Sequence, residues 1–272
     1  MKRHARLAAG VLAASCLPAT PLVAAPRVVS LDQCADQFVL ALSPREAIAG
    51  LSTRARDADS HMRAAAVGLP QRRADAESLL LARPQVAIRW WGGDPRLMRG
   101  LERRGVRIVQ LEDASDFAGV RRNIRAAAAA LDQRARGEAL VAAMDGELAA
   151  SRGAWRGRRA LYLTSGGVVA GPGTLMHAIL GAAGLADAAP APGFSDVQAE
   201  RLILEPPPAI VTGYFDRRSL AGFHWGATVS PPVRRALAGR IIADLPADLV
   251  GCPAWFAADA AVRIAARAPG RS

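Results

Sequence analysis

The stretch Ala76-Glu77-Ser78-Leu79-Leu80-Leu81-Ala82-Arg83-Pro84-Gln85-Val86-Ala87-Ile88 is echoed 123 residues later by Ala199-Glu200-Arg201-Leu202-Ile203-Leu204-Glu205-Pro206-Pro207-Pro208-Ala209-Ile210-Val211. Each copy reads as a short helix with an acid in its first turn, a proline that stops it, and a buried, β-branched strand. A chain that carries such a unit twice folds into two similar lobes. Further strands are expected at Arg27 to Leu31 and Arg107 to Leu111 in the first lobe, and Arg158 to Thr164 opens the second. Helical patterns alternate with them. That order implies parallel sheets covered on both faces, hence two Rossmann-like α/β lobes. Between the copies, Asp116 to Trp155 lacks proline and is rich in Ala, Leu and Glu. It is predicted to be one long helix with a bend at Gly137, reaching about 50 Å and running along both lobes. The expected division is 1–24 as a leader, 25–115 as the first lobe, 116–155 as the connecting helix and 156–272 as the second lobe.

The leader has a basic start (Lys2, Arg3, Arg6), an apolar run from Leu7 to Leu17, and small residues at Val23, Ala24 and Ala25. This is the pattern of a secretory signal peptide, and it predicts export. Cleavage after Ala24 fits best, because a cut after Ala25 places Pro26 at the scissile bond. Ala13-Ala14-Ser15-Cys16 offers a second reading as a lipoprotein box with Cys16 lipidated, although the leucine stands one place early at Leu12. The apolar run is broken by Pro18, and no later stretch supplies the roughly 20 apolar residues that a membrane-spanning helix needs.

The formal charge of +11 falls to +8 once Lys2, Arg3 and Arg6 are removed with the leader. The remaining arginines are dispersed, with only short pairs such as Arg72-Arg73, which describes a solvated basic surface and not a nucleic-acid face. Catalytic motifs are missing from the sequence as well. Thr164-Ser165-Gly166-Gly167 comes nearest to a nucleophile elbow without matching it. Gly171-Pro172-Gly173-Thr174 lacks the lysine of a phosphate-binding loop and reads as a turn followed by a threonine cap. His61, His177 and His224 do not fall at metal-ligand spacing.

Several segments taken in order carry a family resemblance: Arg27-Val28-Val29-Ser30-Leu31 leading into Ala35-Asp36-Gln37-Phe38-Val39-Leu40-Ala41-Leu42, the two Glu-containing helices, Leu101-Glu102-Arg103-Arg104-Gly105-Val106-Arg107-Ile108, and Ala170-Gly171-Pro172-Gly173-Thr174. The chain resembles the periplasmic substrate-binding proteins of ABC importers for ferric siderophores, haem and vitamin B12. The resemblance spans nearly the whole mature chain and implies the two-lobed, class III form of that fold. It implies a monomer without a cofactor of its own, with a cobalt corrinoid or an iron chelate as ligand. A permease dimer with its ATPase subunits is the implied partner. The glutamates that dock into arginine pockets of the permease in that family match Glu77 and Glu200, and a carboxylate in a first helical turn is oriented for pairing with arginine. The simpler reading is that Asp75 caps the helix and Glu77 complements its dipole.

The aromatic residues fall in pairs at loop positions: Trp90-Trp91 and Tyr214-Phe215 follow strands, and Trp255-Phe256 follows Cys252-Pro253. In parallel sheets ligands bind beyond the carboxyl ends of strands, which directs these rings into the gap between lobes. Trp90-Trp91-Gly92-Gly93 resembles the Trp-x-Gly-Gly turn of the family's corrin-binding members, with either tryptophan as the matching ring. His224-Trp225 is a further candidate pair, with His224 as an axial ligand to haem. Arg54, Arg56, Arg89 and Arg217 are available to an anionic siderophore. Cys34 and Cys252 have three open readings: buried thiols, a disulfide across the cleft, or soft ligands to iron or cobalt. A haem importer component is the alternative function, with a secreted enzyme or metal-centre assembly protein of similar form behind it.

Overall fold

The computed structural model describes residues 25–164, 166–213 and 230–270. The first lobe opens with β1 (Val28–Ser30), whose three residues are all buried, followed by α1 (Gln33–Leu42), capped by Asp32. Then come β2 (Ile48–Ser52), β3 (Gln71–Arg72), α2 (Ala76–Ala82), β4 (Val86–Arg89), α3 (Pro95–Glu102) and β5 (Arg107–Gln110). Among the described residues these strands form one sheet in the order β3-β2-β1-β4-β5, every pair parallel. The chain reverses direction across the sheet between β1 and β4, the kind of switch point where α/β sheets leave a crevice at their carboxyl ends.

The second lobe holds β6 (Arg159–Leu163), β7 (Val168–Ala170), α6 (Leu175–Ala182), β8 (Ala186–Asp187), β9 (Phe194–Asp196), α7 (Ala199–Leu204) and β10 (Ile210–Gly213). After them come α8 (Pro231–Leu237), β11 (Ile241–Leu245), α9 (Ala247–Val250) and α10 (Ala257–Ala265). The order is β11-β10-β6-β7-β9, with β8 beside β6. This sheet departs from the expected all-parallel form, because β7 runs antiparallel to both β6 and β9. Only a few residues separate β6 from β7, too few for the helical crossover that a parallel pair requires.

The repeated unit becomes α2 with β4 in one lobe and α7 with β10 in the other, and each of these strands pairs with the first strand of its own sheet. One apolar cluster covers the outer face of the first sheet (Val29, Leu79, Leu101) and another that of the second (Leu161, Leu202, Val233). A third, larger cluster is shared by both lobes and includes Phe38, Ile88, Ile124, Tyr162 and Phe256.

The connector is not the single long helix expected. It consists of α4 (Phe117–Ala130) and α5 (Arg134–Ser151), folded back on each other. Asp132 takes the left-handed conformation at φ 56°, and the Gln133 N–H donates to the Ala128 carbonyl at 2.8 Å, a Schellman-type stop. Bidentate Arg121–Asp145 and paired Arg125–Glu138 contacts then zip the two helices antiparallel. Gly137 does not bend the helix. It lets α5 approach α4 so closely that a Cβ there would lie 2.5 Å from the Ala128 Cβ. Helix α4 packs on α1 and β5 of the first lobe, and α5 packs on α10 and α6 of the second. The lobes are therefore joined through the face that α4 and α5 share, α5 being about 27 Å long at 1.5 Å per residue.

Candidate functional site

Asp32 follows β1 at the switch point and is 1% exposed. One carboxylate oxygen accepts from the N–H groups of Cys34 and Ala35, at 3.1 and 2.9 Å, and so caps α1. The other accepts from Trp90, Trp91 and Gly92, at 2.7, 3.1 and 2.9 Å, and holds the turn that follows β4. Gln110 at the end of β5 donates to the Trp90 carbonyl at 2.6 Å. The turn lies flat on the end of β1, since a Cβ on Gly92 would sit 2.2 Å from the Leu31 carbonyl oxygen.

This turn forms part of a cavity of about 260 Å³ between the lobes, partly open to solvent. Trp90, Asp113 and Ser115 line it from the first lobe. Thr174, Met176 and Ile179 of the α6 region, Phe194 of β9, and Leu249 to Pro253 line it from the second. Thr174 accepts from the His177 N–H at 3.2 Å, so the Gly171–Thr174 segment is the capped turn expected. Asp113 is the only ionisable side chain among the described lining residues.

Of the two candidate tryptophans, Trp90 is half-buried on the cavity wall, whereas Trp91 points outward at 55% exposure. Trp255 and Phe256 stand elsewhere than expected. Phe256 is 1% exposed and stacks on His61 at 4.1 Å, while Trp255 meets the Phe38 ring edge-on at 5.6 Å. Both belong to the core that fastens the lobes and not to the cavity wall. Burial among these rings holds the His61 imidazole below its usual pKa. Tyr214, Phe215, Arg217, His224 and Trp225 lie outside the described residues. Phe194 was missed by sequence reasoning, because it sits in a Pro- and Gly-rich stretch that reads as loop.

Cys34 and Cys252 form a disulfide across the lobes, Cα to Cα 5.3 Å, and Cys252 borders the cavity. The readings as free thiols and as metal ligands are thereby removed. No group of three or more His, Cys, Asp or Glu among the described residues is placed to hold a metal ion. Arg54 is engaged by Asp57 and Asp59, and Arg89 donates to the Trp91 carbonyl, so neither points into the cavity. Arg56 is exposed and does not line it.

On the outside, Glu77 and Glu200 are exposed in the first turns of α2 and α7. Asp75 caps α2 by accepting from the Ser78 N–H, and that bond holds its carboxyl below the usual range. The same helices expose an apolar pair at matching repeat positions: Leu80 and Leu81 at 37% and 73%, Ile203 and Leu204 at 40% and 79%.

Among the described residues no helix is long and apolar enough to cross a membrane. No curated protein matches the sequence. Solved structures with the same fold include the periplasmic heme-binding protein RhuT from Roseiflexus sp. RS-1 in apo form, at 24% identity and TM-score 0.67, covering 89% of this chain and 97% of that one. The periplasmic heme-binding protein HutB of Vibrio cholerae matches at 20% and 0.68, covering 88% and 97%. The periplasmic vitamin B12 binding protein BtuF of Vibrio cholerae matches at 17% and 0.61, covering 89% and 96%. The family model for periplasmic binding proteins matches residues 28–213, and with two α/β lobes around a cleft the chain belongs to that family.

Proposed function

We propose that this protein is the exported, periplasmic solute-binding component of an ABC importer, holding a corrinoid between its lobes and handing it to a permease dimer with its ATPase subunits. The cavity carries the ligand reading: Trp90 lines it from one lobe and Phe194 from the other, with Asp113 as its ionisable lining group. Aromatic groups contributed by both lobes suit a flat macrocycle. A carboxylate accepts hydrogen bonds from the amide side chains at a corrin's edge, and it repels anionic ferric siderophores and haem propionates. Haem is the second reading. Met176 on the wall offers a thioether of the kind that ligates haem iron, and two of the neighbours are heme-binding proteins.

Titrating the mature protein with cyanocobalamin, haemin and a panel of ferric siderophores, followed by tryptophan quenching, tests the assignment. Sub-micromolar binding of cyanocobalamin is expected. Binding of haemin alone would install the second reading, and silence across the panel would overturn both.

Docking is assigned to Glu77 and Glu200 together with the apolar pairs beside them. Two equivalent patches, each an acid next to exposed leucine or isoleucine, suit a partner with two equivalent halves. Replacing both glutamates by alanine is expected to abolish stimulation of the transporter's ATPase while leaving ligand affinity within twofold. Unchanged stimulation would sink the docking assignment.

A further inference from the structure

We infer that Asp32 is the positioning residue of the cleft: its single carboxylate sets the Trp90–Gly92 turn in its ligand-ready form and ties that turn to the helix that carries the inter-lobe disulfide. The inference rests on the cleft being the ligand site, and it concerns a residue that does not line the cavity. An N-cap needs only one oxygen accepting from the first helical turn. Asp32 meets that need with one oxygen and spends the other on three successive N–H groups of a different loop. Three consecutive N–H groups that converge on one point form an anion-binding nest, and here the anion is supplied by the chain itself.

The geometry leaves the turn few alternatives. The Trp90 N–H is held by Asp32 and its carbonyl by Gln110, so the backbone on both sides of the ring's attachment point is fixed. Gly92 is pressed on the Leu31 carbonyl, and Gly93 takes a positive φ of 78°. Two residues past Asp32, in the first turn of the helix it caps, stands Cys34, whose sulfur bridges to Cys252 on the opposite wall. One buried acid thus connects the first-lobe wall, the first-lobe helix and, through the bridge, the second-lobe wall. A wall built this way is already formed when the ligand arrives, and binding does not bear the cost of ordering it.

The test separates the cap from the turn. In Asp32→Ser the hydroxyl still caps α1 but is too short to reach the turn, and in Asp32→Asn the amide presents N–H groups to a nest of donors. Hydrogen exchange of the unliganded protein reads the turn directly. Both variants are expected to speed exchange of the Trp90, Trp91 and Gly92 amides at least tenfold while the α1 amides of Asp32→Ser keep their protection. Cyanocobalamin and haemin titrations are run alongside, and whichever ligand the wild type binds is expected to bind at least tenfold more weakly. Unchanged exchange in the turn overturns the inference, as does fast exchange with undiminished affinity. If the wild type binds neither ligand, the ligand assignment fails on its own and the exchange result still decides whether Asp32 sets the turn.

Discussion

Asp36 is fully buried, yet it is an acid, bonded to the hydroxyls of Ser30 and Ser52 and to the Ser52 N–H. Burial outweighs those bonds and pushes its carboxyl up to about 6 from an ordinary 3.8. Across that window the folded chain keeps a proton that the unfolded chain has released, so the stability contributed by Asp36 is fully present below pH 4 and is lost as pH rises through 6. The shift corresponds to about 3 kcal/mol. Denaturant midpoints at pH 4, 5 and 7 are expected to show this fall in the wild type and a clearly smaller one in Asp36→Asn. The two tryptophans give a second prediction at this scale. Trp90→Ala is expected to weaken ligand binding about 10- to 100-fold, the loss of a central aromatic anchor, and Trp91→Ala less than about threefold; isothermal titration distinguishes them. The sequence placed an aromatic pair beyond β4 because strand ends in parallel sheets face the crevice, but it could not say which ring turns inward. That depends on Asp32, 58 residues away. Trp255 and Phe256, read as loop rings facing the same gap, pack instead against the apolar core between lobes.

At the level of elements, the strands at Val28, Val86, Arg107, Arg159 and Ile210 were legible from runs of apolar residues, and the helices beside them from caps and proline stops. The short strands β3, β7, β8 and β9 were not, because their pairing is set by neighbours and not by their own pattern, and β2 and β11 were missed as well. The connector misled for a related reason. A proline-free, alanine-rich run favours helix throughout, and the break rests on one aspartate in the left-handed region and on one glycine that allows close packing. The same substitution at two glycines of α5 exposes this. Gly137→Ala is expected to destabilise by about 1–3 kcal/mol, because its methyl group collides with Ala128. Gly146→Ala, with open space around it, is expected to stabilise by about 0.5–1 kcal/mol. Thermal melts of the two variants with opposite signs would establish the helical hairpin; equal signs would contradict it.

For the molecule as a whole, the repeat announced two lobes, and nothing local announced how they are held. Beyond the hairpin and the shared apolar core, the fastening among the described residues includes the Cys34–Cys252 bridge, the stack of His61 on Phe256 and the Arg63–Asp248 ion pair at 3.0 Å. All three join residues nearly 200 positions apart or more, a relation invisible to any local pattern. Closing so long a loop stabilises the folded state by up to about 5 kcal/mol in the chain-entropy account. Reduction, or Cys34→Ser with Cys252→Ser, is therefore expected to lower the melting temperature by several degrees or more and to raise the rate of lobe separation seen by a fluorophore pair placed one on each lobe. The bridge also sets a schedule for the making of the protein. It spans 218 residues, from the first helix to the last loop before the final helix. At ordinary synthesis rates about 10–40 s pass between the emergence of one cysteine and the other. Throughout that interval Cys34 has no Cys252 to pair with, so this covalent seal between the lobes can close only once the chain of the second lobe has been made.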